Sequence, residues 1–345
     1  MLLRYLFINL WRYYEFLSGK HMKYVQLPNE RIYKLPFYLA MEEYVAQSFP
    51  AQDYFFMWQV PPTVIFGRNQ LVDSEVNTAF CRSNGIEFYR RKSGGGCVYA
   101  DEGNIMLSYI TPDTNVNFTF NRYMLMIEHA LQSLGIDART TGRNDILIAG
   151  KKVSGNAFYH LPSRSIVHGT MLYDTDIDNM AGATTPSTSK LESKGVQSVR
   201  QHVTTIKEHL AITLGDFQNH LRSSLCDGTI VLGQGDIDAI EAISREYYTT
   251  EFIYGKNPAC SFSHRVRLDG VGEFVVDLVV KDNIIRKANL AGDFFLVGDL
   301  DGMLLSRLQG VGFTRHSVEK ALEGVVCEDI IMNLKKEQLI NLLFN

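Results

Sequence analysis

The run Arg90-Arg91-Lys92-Ser93-Gly94-Gly95-Gly96 sits between two β-rich segments, 86–90 and a second beginning at Cys97, and it restricts the fold more than any other stretch of the chain. Consecutive glycines let backbone N–H groups crowd around an anion, and neighbouring cations neutralise it. Glycines that bridge two strands are nevertheless neither of the common nucleotide loops. The Walker pattern needs Gly-Lys-Ser/Thr opening a helix, and the dinucleotide fingerprint needs G-x-G-x-x-G between a strand and a helix. An ordinary flexible hairpin accounts for the run equally well on its own. Either way, the strand–turn–strand pattern predicts antiparallel pairing here.

The rest of the chain reads as two organisations. Residues 35–48 form a helix, with Pro36 in its first turn and Phe37, Ala40, Met41, Tyr44 and Val45 on one stripe. Strands follow at 54–58 and 63–66, parted by Pro61-Pro62, then a short helix to Ser83 and a strand at 104–110. Residues 118–134 give the clearest helix, stopped by Gly135. The segment 141–156 is turn-rich around one short apolar strand, 145–148, and 165–173 is another strand. Residues 181–194 are polar and Thr/Ser-rich, the pattern of a mobile surface loop. Helices return at 214–225 and 235–247. After about Tyr254 come three strands (262–268, 273–280, 284–290) with Lys281-Asp282-Asn283 as a hairpin turn, then helical patterns at 300–308, 317–322 and 328–343. The expected fold class is therefore α/β (α+β). It comprises a large domain, 23–255, with a mixed, mostly antiparallel sheet and packed helices, and a small α+β domain, 259–345.

Composition bounds the partners. The 345 residues carry 34 Lys+Arg against 38 Asp+Glu, a net charge of −4 without the basic footprint of a nucleic-acid binder. Five scattered cysteines form no C-x-x-C pair, and a reducing cytoplasm is the expected compartment. No stretch reaches the ~18–20 apolar residues of a membrane span, so no membrane partner is expected. Residues 1–22 read as an aromatic extension, either a start placed too early or a surface-binding helix.

Two further loops stand out. Gly150-Lys151-Lys152-Val153-Ser154-Gly155-Asn156 places two lysines in a glycine-bounded loop, either merely solvated or a fixed ammonium aimed at a phosphate or acyl-phosphate oxygen. Gly142-Arg143-Asn144-Asp145 supplies a cation, an amide and a carboxylate, and reads as an Asx turn or as the carboxylate of a Mg2+ site. Asp174-x-Asp176-x-Asp178 opens like a calcium loop, but Asn179 and Thr185 occupy the positions that need Gly and Glu. His168-Gly169-Thr170 lies in an apolar strand, where a hydrogen-bonded core histidine is the plain reading.

Taken in order, these segments resemble the lipoate-protein ligase A family of the lipoyl and biotinyl protein ligases. The resemblance is carried by Leu39-Ala40-Met41-Glu42-Glu43, Thr63-Val64-Ile65-Phe66-Gly67-Arg68-Asn69-Gln70, and Arg90-Arg91-Lys92-Ser93-Gly94-Gly95-Gly96-Cys97-Val98-Tyr99. It continues in Asp101-Glu102-Gly103-Asn104, Gly142-Arg143-Asn144-Asp145, Lys152-Val153-Ser154-Gly155-Asn156-Ala157, His168-Gly169-Thr170-Met171-Leu172 and Lys194-Gly195-Val196-Gln197-Ser198-Val199-Arg200. It implies a catalytic domain followed by an accessory domain. The implied activity joins lipoate to ATP, releases pyrophosphate, and passes the lipoyl group to a lysine of a lipoyl domain, as in the E2 subunits of 2-oxoacid dehydrogenases and the glycine cleavage H protein. By resemblance, Lys152 is the catalytic charge. Arg91, Gly96, Cys97, Val98, Tyr99, Asn144, Asp145 and Lys152 face ATP and the adenylate, with Asp145 toward Mg2+. Arg90, Ser93, Gly94, Gly95, His168, Gly169 and Thr170 face lipoate. A monomer is expected.

Ala100 departs from the family's usual His, which bears on the acyl chain accepted. Two other readings differ in chemistry. An octanoyl or lipoyl acyltransferase would need a nucleophilic cysteine, and none lies between Val98 and Leu225. A non-catalytic lipoyl-domain-binding protein would not need Lys152.

Overall fold

The computed structural model describes residues 22–141, 143–185, 199–254 and 262–344; the N-terminal extension and most of the polar segment 181–194 lie outside them. The first domain contains strands β1 (Met22–Gln26), β2 (Asp53–Trp58), β3 (Thr63–Phe66), β4 (Glu87–Arg90), β5 (Val98–Ala100), β6 (Asn104–Thr111), β7 (Ala138–Thr140), β8 (Asp145–Ile148), β9 (Lys151–Leu161), β10 (Arg164–Leu172) and β11 (Gly228–Val231). Eight of them form one sheet in the order β11-β1-β2-β6-β10-β9-β8-β7. Only β1 pairs in parallel, with β11 and β2; the other pairs described in this sheet are antiparallel. The mixed, mostly antiparallel expectation is met.

The sheet is covered on both faces, and the period of two decides which residues go where. Phe55 on β2 and Ile105, Leu107 and Tyr109 on β6 point to one side, where they pack with Tyr123, Ile127 and Leu131 of helix Val116–Gln132. Tyr54, Phe56, Met106 and Ile110 point to the other, against Leu39, Ala40 and Val45 of helix α1 (Leu35–Ser48). Burial on both faces explains why β6 reads as a nearly unbroken apolar run.

The pairing around the glycine run differs from the expected hairpin. Strands β4 and β5 do not pair with each other but flank β3, β4 parallel and β5 antiparallel to it. The run therefore crosses over the end of β3. The long strand β9 occupies what the sequence presents as turns, because its Lys, Ser and Gly residues are drawn into the sheet by pairing with β8 and Asn156 by pairing with β10.

The second domain has strands β12 (Phe262–Leu268), β13 (Gly272–Lys281) and β14 (Ile284–Gly292) in an antiparallel meander. Asp282 and Asn283 have φ of 55° and 58°, the left-handed pair that a tight two-residue turn requires. Helices ending in Lys336–Phe344 bury Leu339, Ile340, Leu342 and Leu343 beneath this sheet.

The two domains meet on the glycine run. Gly95 N donates to Phe294 O at 3.1 Å and Gly292 N to Asn69 O at 2.7 Å. Phe295 leaves its own domain and stacks on Phe158 at 5.7 Å between centroids, joining the first domain's core. Gly94 is required at this junction, since a Cβ there would lie 2.6 Å from Phe294 O. Gly94→Ala is expected to lower the thermal midpoint measurably by forcing the domains apart. Gly215→Ala, where a Cβ enters open space at a helix start, should leave it unchanged or slightly raised. Equal midpoints for the two variants would contradict this account.

Candidate active site

One cleft at the domain junction gathers most of the residues that the sequence singles out. Its lining includes Arg91, Gly95, Gly96, Cys97 and Val98 from the glycine segment, Asn144 and Asp145 from β8 and the turn before it, and Lys152, Gly155 and Asn156 from β9. His168, Gly169 and Thr170 complete it from β10, with Arg143 beside them and Arg267, Asp293 and Phe295 from the second domain.

Arg91 builds the glycine segment from inside. Its Nε donates to Ser93 Oγ at 2.8 Å, Nη1 to Ile65 O at 3.0 Å, and Nη2 to Gly94 O at 2.7 Å and Gly96 O at 2.8 Å. Burial draws its pKa down to about 10, against the pull of Cys97 and Glu42, so it remains charged at neutral pH. A buried guanidinium spending its donors on loop carbonyls fixes the loop in one shape.

Lys152 and Lys151 part company. Lys151 is exposed, whereas Lys152 turns into the cleft, its Nζ 2.7 Å from Asp145 Oδ1. The β8–β9 ladder shifts register here, with Ile146 opposite Ser154 but Leu147 opposite Lys152. Such a bulge re-aims a side chain next to a site. Gly155 makes room for the ammonium, because a Cβ there would collide with Lys152 Nζ. Asn144 and Asn156 clamp the two strands, Nδ2 of each donating to the other's carbonyl at 3.2 and 3.1 Å. Gly169 in turn leaves space for Asn156 Oδ1.

His168 anchors the opposite wall. It lies across from Ser108 in the β6–β10 register, on the sheet face that α1 covers. Its Nδ1 is 2.9 Å from Glu42 Oε2 and its Nε2 is 2.6 Å from Ser93 Oγ, while Ser108 Oγ donates to Glu42 Oε1 at 2.6 Å. Arg91 Nε donates to the same Ser93 Oγ, so Arg91, Ser93, His168 and Glu42 stand in one hydrogen-bonded line. The chain α1–β10–glycine segment is thus hydrogen-bonded end to end. Sequence reading missed Glu42's part; the available signal was a carboxylate in the middle of an otherwise apolar helix.

Several residues taken by resemblance to touch ligand are placed elsewhere. Arg90 points away from the cleft, and its guanidinium is taken up by the carbonyls of Gly67, Arg68, Gln70, Phe252 and Ile253. It alternates with Arg91 along the strand, so the two necessarily face opposite ways. Ser93 and Gly94 support the segment from behind and are absent from the cleft lining, as is Tyr99, which is buried. Ala100 is wholly buried in the α1-side core rather than on the cleft wall.

Among the described residues no group of three or more His, Cys, Asp or Glu side chains could hold a metal ion by itself. Asp145 and Asp293 are the carboxylates on the cleft lining, and Asp145, beside Lys152, fits a Mg2+ carried in by phosphate oxygens and held by one or two carboxylates. No helix among them is long and apolar enough to cross a membrane.

Comparison with known proteins agrees with this arrangement. The lipoyl protein ligase A/B catalytic domain matches residues 35–226, and the bacterial lipoate protein ligase C-terminus matches residues 257–343. Lipoate-protein ligase LplJ of Bacillus subtilis (strain 168) is 35% identical over 318 residues, covering 89% of this chain and 96% of that protein. Among solved structures, P. falciparum LipL1 in complex with lipoate gives a TM-score of 0.73 at 18% identity, covering 93% of this chain and 98% of that one. A bipartite lipoate protein ligase with its E2 lipoyl domain, from Thermoplasma acidophilum, gives 0.61 at 25% identity over 70% of this chain and 100% of that one. A lipoate-protein ligase A bound with ATP gives 0.58 at 22% identity over 69% of this chain and 100% of that one.

Removing Glu42 should be felt as instability. Glu42→Ala leaves His168 Nδ1 and the Ser108 hydroxyl proton without their carboxylate partner in the core, at about 1–3 kcal/mol per orphaned group. Glu42→Gln, which keeps the shape and one acceptor, should cost less. Thermal melting of the two variants beside wild type checks the ranking.

Proposed function

The chain belongs to the lipoyl protein ligase A/B family, and from that premise we propose that it is an ATP-dependent lipoate-protein ligase with Lys152 as its central charge. Lipoate is activated as lipoyl-AMP, and the lipoyl group then passes to a lysine of a lipoyl domain. The E2 subunits of 2-oxoacid dehydrogenases and the glycine cleavage H protein are the proposed acceptors. The division into a catalytic domain, 23–255, and an accessory domain, 259–345, is part of this reading, as are a monomeric state and a cytoplasmic setting.

The observation that carries it is the ammonium of Lys152 inside the cleft, 2.7 Å from Asp145 and across from a glycine segment whose shape Arg91 fixes. A carboxylate resists attack by an amine because its oxygen leaves poorly; adenylation replaces that oxygen with a phosphate. The enzyme's task is then positioning and charge stabilisation. In this reading Gly96, Cys97 and Val98 receive the nucleotide along the glycine segment, with Asn144 and Asp145 on its phosphate side. Lys152 bridges the acyl oxygen and the α-phosphate, where negative charge gathers as the new bond forms. Asp145 keeps the ammonium aligned beforehand and would hold a Mg2+, which when bound neutralises phosphate charge. Gly95, His168, Gly169 and Thr170 form the acyl side, and Arg90, Ser93, Gly94 and Tyr99 act behind the walls rather than on the ligand.

One observation favours a second reading. Cys97 lines the same cleft as Lys152, the setting an acyltransferase nucleophile would need. Cys97→Ser separates the two: a ligase retains ATP-dependent lipoylation, and a thiol-dependent transferase loses all transfer.

Pyrophosphate release measured with ATP and lipoate tests the main proposal. Lys152→Ala should lose at least ~100-fold, the scale of a removed oxyanion partner. Lys151→Ala, whose side chain is exposed, should stay within a few-fold of wild type. The reverse ranking would move the catalytic charge to Lys151.

A further inference from the structure

We propose that Arg267, a residue of the second domain, binds the β- and γ-phosphates of ATP, so that the accessory domain supplies part of the first half-reaction's site. This rests on the ligase reading above and names a contact which that reading does not contain.

The cleft is lined by the cations Arg91, Arg143, Lys152 and Arg267. The first three have partners within the protein. Arg91 is engaged by the glycine segment, Arg143 Nη2 donates to Val271 O at 2.7 Å, and Lys152 pairs with Asp145. Arg267 is held more loosely, by a long ion pair to Asp293. Its side chain is 13% exposed, its Nε and Nη1 make no hydrogen bond, and Nη1 stands 4.0 Å from Asp293 Oδ2. One oxygen of each neighbouring carboxylate is engaged, Glu273 Oε1 by Arg265 Nη1 at 2.8 Å and Asp293 Oδ1 by Glu273 N at 2.6 Å, while Asp293 Oδ2 faces Arg267 without reaching hydrogen-bond distance.

A largely buried guanidinium with open donors is costly unless something enters to take them. Its planar fork matches a phosphate oxygen pair. The ligand class follows from where it sits. Lys152 lines the same cleft, and ATP brings more negative charge than Lys152 alone offsets. In the reaction a lipoate carboxylate oxygen attacks the α-phosphorus. The bond from that phosphorus to the bridging oxygen breaks, and pyrophosphate leaves with the electron pair. Arg267, reaching in from the domain opposite Lys152, is placed to take the leaving group, while Lys152 stays with the acyl-adenylate.

The experiment uses the full chain with Arg267→Gln and Arg267→Lys. The first half-reaction is read as pyrophosphate release against ATP and against lipoate. The second is read as transfer from supplied lipoyl-adenylate to a lipoyl domain. Binding of pyrophosphate alone is read as thermal protection. For Arg267→Gln, kcat/KM for ATP should fall about 10- to 100-fold, the worth of a charge-assisted pair, with KM for lipoate and the second half-reaction near wild type. Protection by pyrophosphate should be lost, and Arg267→Lys should recover part of it. A fall in both half-reactions together with a lowered unliganded midpoint would make Arg267 a structural residue and overturn the proposal. So would an ATP dependence equal to wild type. If wild type itself forms no lipoyl-adenylate, the ligase reading fails, and the pyrophosphate arm still decides whether Arg267 holds a polyphosphate.

Discussion

Everything at the domain junction depends on the buried guanidinium of Arg91. It donates to Ser93 Oγ and to the carbonyls of Ile65, Gly94 and Gly96, and so ties the glycine segment to the end of β3. Glycines alone would leave that segment an ensemble, since they lose the most conformational freedom on ordering. With its carbonyls drawn inward to one cation, the segment presents a fixed backbone to the cleft on one side and to Phe294 on the other. A charge in the interior is tolerated here because its donors are satisfied locally and Glu42 lies within electrostatic reach.

From that anchor two chains of interaction spread. One runs through Ser93 to His168 and Glu42, and thence to Ser108 and Trp58, whose Nε1 donates to Ser108 Oγ at 2.8 Å. It fastens the glycine segment to the sheet centre and to α1, so the His168 wall and the glycine-segment wall of the cleft are tied to each other. The other runs through Gly94 and Gly95 to Phe294 and Phe295, whose ring stands in the first domain's core. The second domain is thereby held against the cleft, which is what places Arg267 on its lining. Rigid positioning of this kind suits chemistry whose demand on the protein is alignment and charge compensation.

The two walls differ in how they meet charge. On the Lys152 side the cation is paired with Asp145 at the cleft edge, so it is pre-aligned and electrically balanced before any ligand arrives. On the Arg267 side the partner is distant and the donors are open. In the reading proposed above, a site that receives a polyanion and releases part of it gains from this asymmetry: the balanced pair retains the less charged acyl-adenylate while the more open cation takes the more highly charged leaving group.

The sequence by itself determined the elements and the chemistry. Helix 35–48, strand 145–148, helix 214–225 and the Lys281-Asp282-Asn283 turn are local matters of period, capping and left-handed backbone, and they stand where pattern reading puts them. Motifs around the glycine run, Lys152 and His168 were legible because glycine and charge are unusual in apolar strands. Tertiary structure decided what no local rule carries. Adjacent arginines at 90 and 91 look equivalent in sequence, yet strand alternation sends one to the cleft and the other to carbonyls behind it. Lysines 151 and 152, opposite Ile148 and Leu147 of β8, are parted by strand alternation, and the register shift follows directly after Lys152. Strands β4 and β5 flank β3 rather than each other because pairing partners are chosen across the sheet, not along the chain. Glu42, Arg267 and Phe295 reach the site from distant segments, and only packing brings together groups that the chain keeps this far apart.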